Sequence, residues 1–342
     1  MQLSDYNYKI PSGLIADHPP EVRGTSRLLV LNRQTGAYED KHYPDMVEYL
    51  EPGDTLVIND TRVIKARLLA EKSTGGSREL VLVEKHGAAD DWHRHKVIYR
   101  RKLKAGDVLT VGDDTLTVES ILGDGIAVIR SERDLLEVAE EYGSVPLPPY
   151  MNRDATKDDI DRYQTVFDRH NGSVAAPTAS LNMTEETLGT LRKKGVNVVY
   201  ATLHVGLGTF LPIRVDDVTK HKMHEEYFEV PEETVRVIQE TKRSRHRVVA
   251  LGTTITRTLE YAADEILNSA PQRITGEADI FMYPGYQFKL IDGLLTNFHM
   301  PESTVLMLTA AFAGWDHLKP AYEHCVNERY MFFSYGDSML II

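Results

Sequence analysis

The sequence predicts an α/β protein in which a layered α/β domain carries an inserted small antiparallel β-barrel domain. Two changes along the chain support this prediction. Within residues 55–130, short β-rich runs alternate with turn sequences such as TGG, GDD and GDG, as in a small antiparallel barrel. After Tyr163, strand-like runs alternate with helical segments, which is typical of a layered α/β domain. Because residues 27–33 (RLLVLNR) also have the pattern of a strand, we expect the barrel to interrupt the α/β domain.

The predicted boundaries place residues 1–60 and 151–342 in the α/β domain and residues 61–150 in the barrel domain. A helix is expected at residues 135–142, after the last barrel strand. The segment PLPPY at residues 146–150 is rich in proline, which fixes the backbone, and it is predicted to be a rigid exit linker.

Capping residues locate the elements of the α/β domain. Thr184 is suited to cap a helix whose first turn is acidic, and Gly195 is suited to end it. Pro231 opens a second helix, and Thr253 begins a third. The remaining predictions are strands at residues 197–203 (NVVYATL), 246–252 (HRVVALG) and 279–283 (DIFMY), and helices at residues 304–313 and 318–328.

Composition limits the class of protein. With 342 residues and 42% hydrophobic residues the chain is long enough for two domains with separate cores. The formal net charge of −12 argues against general coating of nucleic acid. We find no secretory signal after Met1 and no apolar run as long as a membrane span, and one cysteine is compatible with a reducing cytoplasm. The sequence therefore predicts a cytoplasmic protein with no membrane partner.

A local basic cluster on the predicted barrel leaves a nucleic-acid partner open. Such a cluster decides nucleic-acid binding more than the net charge does, although charge runs are more often solvated strand faces. A second basic group occurs at residues 242–247. The members of the cluster are Arg94, Lys96, Arg100, Arg101, Lys102 and Lys104.

Three histidines follow the strand NVVYATL within one short segment. His204 comes directly after the strand, and residues at that end of a parallel strand face a crevice. His221 and His224 are three residues apart, with acidic residues next to them that are able to tune an imidazole. These histidines either hold a loop together or transfer protons near neutral pH. No CxxC or HExxH pattern occurs beside the single Cys325, so no metal site is predicted.

The junction VVALGTTITRTLE offers a seat for an anion. Thr253 and Thr254 stand where a helix begins, and the unpaired amides of a first turn attract a carboxylate or phosphate. Arg257 is one turn further along the same side. Simple N-capping by threonine explains the pattern equally well.

The segment MYPGYQFKLIDGLLTNFHMPEST resembles a binding wall. Tyr283 and Tyr286 flank a proline-glycine turn, and their rings are suited to stack on a base. Asn297 and His299 precede the next helix. Packing of these rings against a neighbouring element is the alternative interpretation.

Together these segments closely resemble the S-adenosylmethionine:tRNA ribosyltransferase-isomerase family, which makes epoxyqueuosine in tRNA. The resemblance runs nearly end to end and in family order. It rests on PPEVRGTSRLLVLNR, GDTLVINDTRVIKARL, PLPPY, RYQTVF, VAAPTA, TLHVGLGTFLPI, HKMHEE, LGTTITRTLE, YPGYQFKLIDGLLTNFHMPEST and FFSYGDSML.

The resemblance implies that S-adenosylmethionine is consumed as a ribosyl donor and that no metal or redox cofactor takes part. The ribosyl group passes to 7-aminomethyl-7-deazaguanine at the wobble position of tRNA, and adenine and methionine leave. The sulfonium acidifies the C5′ hydrogens, so a base among His204, His224 and His299 is expected, with Arg257 as a further catalytic residue. The substrate-binding residues implied are Asp60, Arg62, Thr178, Thr209, His221, Glu226, Thr253, Thr254, Tyr283, Tyr286 and Asn297.

The chain departs from the family pattern at two places. The family usually continues AAPTA with GLHF, whereas this chain has Ser180, Leu181, Asn182 and Met183. Lys65 stands where a proline is common. Two alternatives therefore remain at this point: a divergent paralogue that cleaves S-adenosylmethionine with another acceptor, and a non-catalytic RNA-binding relative.

Overall fold

A mixed β-sheet forms the centre of the protein, and a closed β-barrel is inserted between two of its strands. The computed structural model describes residues 1–87, 91–206, 213 and 215–342. Numbered along the chain, the strands are β1 (Arg27–Leu31), β2 (Tyr38–His42), β3 (Thr55–Asn59), β4 (Thr61–Val63), β5 (Arg67–Lys72), β6 (Ser77–Leu82), β7 (Arg94–Tyr99), β8 (Val108–Val111), β9 (Asp114–Gly123), β10 (Ile126–Ser131), β11 (His170–Ser173), β12 (Asn197–Leu203), β13 (Glu226–Val230), β14 (Val248–Leu251), β15 (Ile274–Ala278), β16 (Gly293–Asn297) and β17 (Ser338–Ile341).

The α-helices pack mainly on the central sheet. They are α1 (Met46–Tyr49), α2 (Leu135–Tyr142), α3 (Lys157–Arg162), α4 (Glu185–Lys194), α5 (Glu232–Arg243), α6 (Thr253–Tyr261), α7 (Ala263–Asn268), α8 (Thr304–Ala313) and α9 (Trp315–Asn327).

The central sheet has the strand order β15-β13-β12-β3-β14-β16-β17-β1-β2. Its middle is parallel, because β12 pairs with β3, β3 with β14, and β14 with β16, all in the same direction. The flanking pairs β12 with β13 and β16 with β17 are antiparallel. The four parallel strands therefore present their carboxyl ends at one edge of the sheet, where open α/β sheets bind ligands.

Alternation along the buried strands produces a core on each face of the sheet. In β3, Leu56 and Ile58 belong to the core that contains Leu188 and Leu191 of α4, whereas Val57 belongs to the opposite core with α5, α6, α8 and α9. Successive residues of a strand point to opposite faces, so a fully buried strand must be apolar on both. The layered α/β prediction is thus confirmed.

The inserted barrel is closed and antiparallel, with the strand order β10-β7-β6-β5-β8-β9. Alternate residues such as Leu68, Ala70, Leu80 and Leu82 point inward and form a separate core. This confirms the predicted inserted barrel. The exact domain boundaries at residues 60 and 150 stay a prediction.

Helix α4 begins and ends as its capping residues predict. Thr184 Oγ1 accepts a hydrogen bond from the Thr187 amide at 3.1 Å. Gly195 adopts a left-handed φ of +93°, which is unfavourable for residues with a Cβ, and it ends the helix.

One assignment from the sequence is wrong. The run DIFMY at residues 279–283 is not a strand; the strand is β15, directly before it, which pairs with β13. The run that forms β3 opens the β-rich pattern of residues 55–130, but it lies in the central sheet between β12 and β14, among the residues 1–60 assigned to the α/β domain. Its residues are buried on both faces, and such apolar runs occur in parallel sheets rather than in a small barrel.

A buried ion pair holds the chain where it returns from the barrel. The carboxylate of Asp159 accepts hydrogen bonds from Arg153 at 2.6 and 2.8 Å, from the Thr156 amide at 2.8 Å and from the Tyr335 hydroxyl at 2.8 Å. Burial raises the pKa of the Asp159 carboxyl, but the hydrogen bonds from Arg153, Thr156 and Tyr335 lower this pKa by more, so it lies well below its usual range. The hydrogen bond from Tyr335 connects α3 with the C-terminal segment.

We expect Asp159→Asn to lower the free energy of unfolding by about 3 kcal/mol at pH 7, because it leaves a buried guanidinium without its counter-charge. Since the folded-state pKa of Asp159 is lowered, the stabilisation is complete above the unfolded pKa of about 3.9 and is lost as pH falls below it. The difference between wild type and variant should therefore shrink in acid. Urea unfolding at several pH values measures it.

Asp154→Asn is the matched control. Asp154 is also paired with an arginine, Arg67, at 2.8 Å, but its side chain is 87% exposed. Exposed ion pairs contribute about 1 kcal/mol or less. Equal losses in the two variants would contradict the buried role of Asp159.

Candidate functional site

A cleft of about 370 Å³ opens at the carboxyl ends of the parallel strands. This volume lies within the range of small-molecule sites, about 300–1,000 Å³. Its walls come from segments that follow β11, β12, β14 and β16, together with parts of both termini. The lining residues are Leu3, Tyr150, Ala176, Pro177, Thr178, Ala179, Val205, Ile213, Gly252, Thr253, Thr254, Thr296, Asn297, Phe298, His299, Met300, Pro301, Glu302, Ser303, Val305, Phe333 and Ser334.

The amide side chain of Asn59 fixes the base of this cleft. Its Nδ2 donates to the carbonyl of Leu203 at 3.1 Å and to Thr254 Oγ1 at 3.2 Å, and its Oδ1 accepts from the amides of Leu203 and Thr61, each at 3.1 Å. One buried side chain thus joins the ends of β3 and β12 to the start of α6.

The start of α6 forms one wall. Gly252 has a φ of +91°, and a Cβ built there would lie 3.5 Å from the Cβ of Ala179, so the turn depends on glycine for its conformation more than for space. Thr253 and Thr254 follow in the first helical turn and line the cleft. The amides of a first turn lack intrahelical partners, which makes this wall suited to an anionic group.

Asn297 contributes a buried acceptor at the end of β16. Its side chain is only 2% exposed, and Nδ2 donates to the carbonyl of Asp337 at 3.4 Å. Oδ1 has no hydrogen-bond partner in the described part of the chain. A buried oxygen without a donor is costly, so this position favours a ligand with an N–H or O–H group.

His299 forms the adjoining wall. Its Nε2 lies 2.9 Å from Thr296 Oγ1, and its backbone amide donates to the Tyr322 hydroxyl at 3.1 Å. Protein atoms surround most of the ring, and burial lowers the pKa of the imidazole to about 3. The ring is therefore neutral at neutral pH, and burial makes its protonated form unfavourable.

Glu302 is the one carboxylate in the lining among the described residues. Its backbone has a left-handed φ of +56°, and its Oε1 accepts from Asn7 Nδ2 at 2.7 Å. The cleft therefore combines a helix N-terminus suited to an anionic group with one negative charge near its rim, that of Glu302.

Arg257 lies behind the cleft and does not line it. Its guanidinium forms a buried ion pair with Glu226, donates to the carbonyl of Ala278 at 2.9 Å, and donates to the carbonyl of His224 at 3.3 Å. Its Nε has no hydrogen-bond partner among the described residues. Arg257 also lines a small cavity of about 20 Å³, together with Thr253 and Thr254. Glu226 also accepts from the Gly206 amide at 2.8 Å, so the pair holds the segment after β12.

His204, Asp60 and Arg62 lie between the cleft and the barrel. His204 is 2% exposed, with Nδ1 2.8 Å from Thr61 Oγ1. Asp60 accepts from Thr202 Oγ1 at 2.7 Å, and burial raises the pKa of its carboxyl. Arg62 is half exposed and lies 3.3 Å from Asp168. None of the three lines the cleft.

The remaining predicted residues on the 221–286 segment also lie outside the lining. The ring of His221 contacts Phe281, and the side chain of His224 is exposed. Tyr283 likewise packs against Phe281, whereas the hydroxyl of Tyr286 donates to Glu260 at 3.2 Å. The two tyrosines are thus engaged in packing.

The structure therefore brings together Thr178, Thr253, Thr254, Asn297 and His299 of the predicted residues. Thr209 lies outside the described residues. The roles given to all these residues stay predictions.

The predicted basic cluster lies on β7 and the loop that follows it. Arg94 is paired with Glu119 at 2.6 Å, and Arg100 is 77% exposed and lies 3.8 Å from Glu79. Lys96, Arg101, Lys102 and Lys104 are exposed. The second basic group, at residues 242–247, precedes β14 and so lies at the opposite end of the sheet from the cleft.

Several lining residues escaped the sequence interpretation. Tyr150 belongs to PLPPY, predicted as a linker, and Phe333 and Ser334 belong to FFSYGDSML, to which no role was given. Both segments are among those that resemble the family, and this resemblance is the signal that the sequence offers for these residues. The sequence offers no such signal for Leu3.

The departures from the family pattern lie outside the lining. Asn182 is buried, and its Nδ2 donates to the carbonyl of Gly336 at 2.9 Å. Ser180, Leu181 and Met183 are buried beside it. Lys65 donates to Glu140 at 2.7 Å near the barrel. These substitutions therefore change packing and surface contacts, and they do not alter the walls of the cleft.

Neither a metal cluster nor a membrane helix occurs in the described part of the chain. No group of three or more His, Cys, Asp or Glu side chains converges there as metal ligands do. None of its helices combines the length and the apolar character needed to cross a bilayer.

Comparison with known proteins identifies the family. A family profile described as queuosine biosynthesis protein matches residues 3–341. The S-adenosylmethionine:tRNA ribosyltransferase-isomerases of Pelodictyon phaeoclathratiforme and Syntrophotalea carbinolica are 54% and 46% identical, each over 100% of both chains. The crystal structure of S-adenosylmethionine tRNA ribosyltransferase from Thermotoga maritima is 35% identical, with 99% of this chain and 100% of that chain covered and a TM-score of 0.57. The chain belongs to the queuosine biosynthesis protein family.

Proposed function

We propose that this chain is an S-adenosylmethionine:tRNA ribosyltransferase-isomerase of the cytoplasm. Its relatives carry that name over their whole length. The observation in the structure that best supports the proposal is a cleft whose walls combine a helix N-terminus suited to an anion, the amide oxygen of Asn297 and the neutral imidazole of His299. The ribosyl group of S-adenosylmethionine passes to 7-aminomethyl-7-deazaguanine at the wobble position of tRNA, giving epoxyqueuosine and releasing adenine and methionine. S-adenosylmethionine is a co-substrate here, and no metal or redox cofactor takes part.

The donor's charges match the walls of the cleft. Its carboxylate seats at the first-turn amides of Thr253 and Thr254, where a helix favours negative charge. Its positive groups are complemented by Glu302 at the rim. Asn297 Oδ1 accepts a hydrogen bond from a hydroxyl or amino group of the ligand. Arg257 supports this arrangement from behind, since its ion pair with Glu226 holds the neighbouring backbone.

His299 is the residue we favour as the proton carrier, because it alone of the three candidate histidines lines the cleft. The sulfonium makes the C5′ hydrogens acidic, and the neutral imidazole removes one. Burial disfavours a lasting imidazolium, so the ring must pass the proton on. The departing adenine needs one proton, and it receives the one that His299 removed from C5′. The aminomethyl nitrogen then forms the new bond to the sugar and gives up one proton to solvent. As the sugar rearranges, the C5′–S bond breaks and its electron pair leaves with methionine.

We expect His299→Gln to lower kcat about a hundredfold or more, because a positioned acid-base group contributes about 10²–10⁴-fold. Since the pKa of His299 is lowered to about 3, its neutral form persists down to that pH. Titration of this ring therefore causes no loss of kcat between about pH 8 and 5. Steady-state release of adenine, measured across this pH range, tests both points.

His224→Gln is the matched control, since that side chain is exposed and outside the cleft. It should change kcat by less than about twofold. If His299→Gln retains wild-type kcat, or if His224→Gln loses as much, His299 is not the carrier.

The barrel is the proposed tRNA-binding surface. Lys96, Arg101, Lys102 and Lys104 are exposed, and in the described part of the chain none of their side-chain cations forms an ion pair with a carboxylate. Free cations of this kind bind phosphates and contribute a salt-dependent, sequence-independent part of the affinity. The anticodon base is then positioned for the cleft.

We expect the double charge reversal Arg100→Glu, Arg101→Glu to raise the KM for tRNA at least about tenfold, because it replaces two attractive charges with two repulsive ones. The Kd for S-adenosylmethionine should be unchanged, since the cleft is not altered. Filter binding of tRNA at several salt concentrations and calorimetry with the donor measure the two effects.

The control is Arg243→Glu, Arg245→Glu. Both residues are exposed and lie at the end of the sheet opposite the cleft. The same change in net charge at that position should leave the KM for tRNA within about twofold. An unaltered KM in the barrel variant would refute this surface.

The activity itself has a direct test. We expect adenine and methionine to be released in equal amounts from S-adenosylmethionine only when tRNA carrying 7-aminomethyl-7-deazaguanine is present. Chromatography of the small products, with unmodified tRNA as control, measures this dependence. Release without any tRNA would indicate another acceptor, and no release would refute the proposed enzyme.

A further inference from the structure

Two aromatic side chains from distant segments form one wall of the cleft. Tyr150 and Phe333 both line it, with ring centroids 4.9 Å apart and an interplanar angle of 63°. Such an edge-to-face contact is favourable for aromatic pairs. Tyr150 leaves the barrel, whereas Phe333 belongs to the C-terminal segment.

The ring of Tyr150 is fixed at its polar end. Its hydroxyl donates to Ser334 Oγ in a very short contact and accepts from the Ser334 amide at 3.0 Å. Burial raises the pKa of this hydroxyl to about 12, so it stays protonated and keeps its donor role. The ring therefore has little rotational freedom left to lose when a ligand binds.

The backbone of Phe333 is held in an unfavourable conformation. Its φ is +73°, in the left-handed region that residues with a Cβ rarely adopt. The amide of Phe333 donates to the carbonyl of Phe298 at 3.1 Å, and its carbonyl accepts from the Gly336 amide at 3.0 Å. Asp337 closes the same turn by accepting from the Met331 amide at 2.7 Å. Non-glycine residues in strained conformations are typical of binding sites.

The rest of the lining leaves space for a flat ligand in front of this wall. Many of the other residues are small, including Ala176, Thr178, Ala179, Gly252 and Thr253. Flat heterocycles bind to aromatic side chains by stacking, and a wall that is already ordered binds them at a low entropic cost.

We propose that Tyr150 and Phe333 form the stacking subsite for a purine-type heterocycle. This inference rests on the proposed function, which supplies two such rings: the adenine of the donor and the 7-deazaguanine of the tRNA. The chemistry that the wall recognises is the same in both, a flat aromatic bicycle, and the experiment distinguishes the two sources.

The test is Phe333→Leu, which keeps an apolar side chain but removes the flat ring. Stacking on one base contributes enough that its loss weakens binding about tenfold or more. A rise in the Kd for S-adenosylmethionine, measured by calorimetry without tRNA, identifies adenine as the stacked ring. An unchanged donor Kd with a raised KM for the precursor tRNA identifies the deazaguanine.

Phe332→Leu is the matched control. Phe332 is the neighbouring residue, is fully buried and does not line the cleft. Its replacement should lower the melting temperature while both binding constants stay within about twofold. Tyr150→Leu should repeat the effect of Phe333→Leu, and Tyr150→Phe should retain binding because the ring remains. These two variants decide the matter if Phe333→Leu does not fold.

Wild-type constants in the folded Phe333→Leu and Tyr150→Leu variants, together with normal wild-type turnover, would overturn this inference alone. A wild-type chain that releases no adenine from donor and precursor tRNA would overturn the proposed function and, with it, the inference.

Discussion

The side-chain amide of Asn59 is the interaction on which the geometry of the cleft depends. It bonds to the backbone of β12 and to the first turn of α6, and so it ties the start of that helix directly to the end of β12. Each of its polar atoms has a partner, so the buried amide incurs no desolvation penalty and gains rigidity. A shorter or apolar side chain at this position would leave several backbone groups without partners at the point where four parallel strands end.

Around Asn59, most charged side chains are paired with an opposite charge and do not line the cleft. The guanidinium of Arg257 is committed to Glu226, and Arg153 to Asp159. Among the described residues, what remains in the lining is the N-terminus of α6, an amide oxygen, a neutral imidazole and one carboxylate. Such a site distinguishes a ligand by the position of its charges, because these few groups offer different partners at different places in the lining. The exposed basic cluster lies elsewhere, on the barrel.

The sequence predicted those parts of the site that depend on local rules. Thr253 and Thr254 were found because they begin a helix directly after a buried strand, and Asn297 because it precedes the next helix. The caps of α4 were found because Thr184 and Gly195 act through their nearest neighbours. Tyr150 and Phe333 were missed because their meeting joins segments 183 positions apart by residue number, and no periodicity encodes such a contact. DIFMY failed for a related reason. Its apolar residues resemble a strand, but β15 already occupies the place beside β13.

The path of the chain gives Tyr150 a second significance. The barrel is attached to the α/β layers through hydrogen bonds such as that from the Gly87 amide to Glu277 at 2.9 Å. The chain that leaves the barrel supplies Tyr150 to the cleft and, three residues later, reaches Arg153, which is bonded to Asp159. A rotation of the barrel against the layers would therefore displace one face of the cavity while its base stayed in place. The inserted domain and the small-molecule cleft would thus change their geometry together.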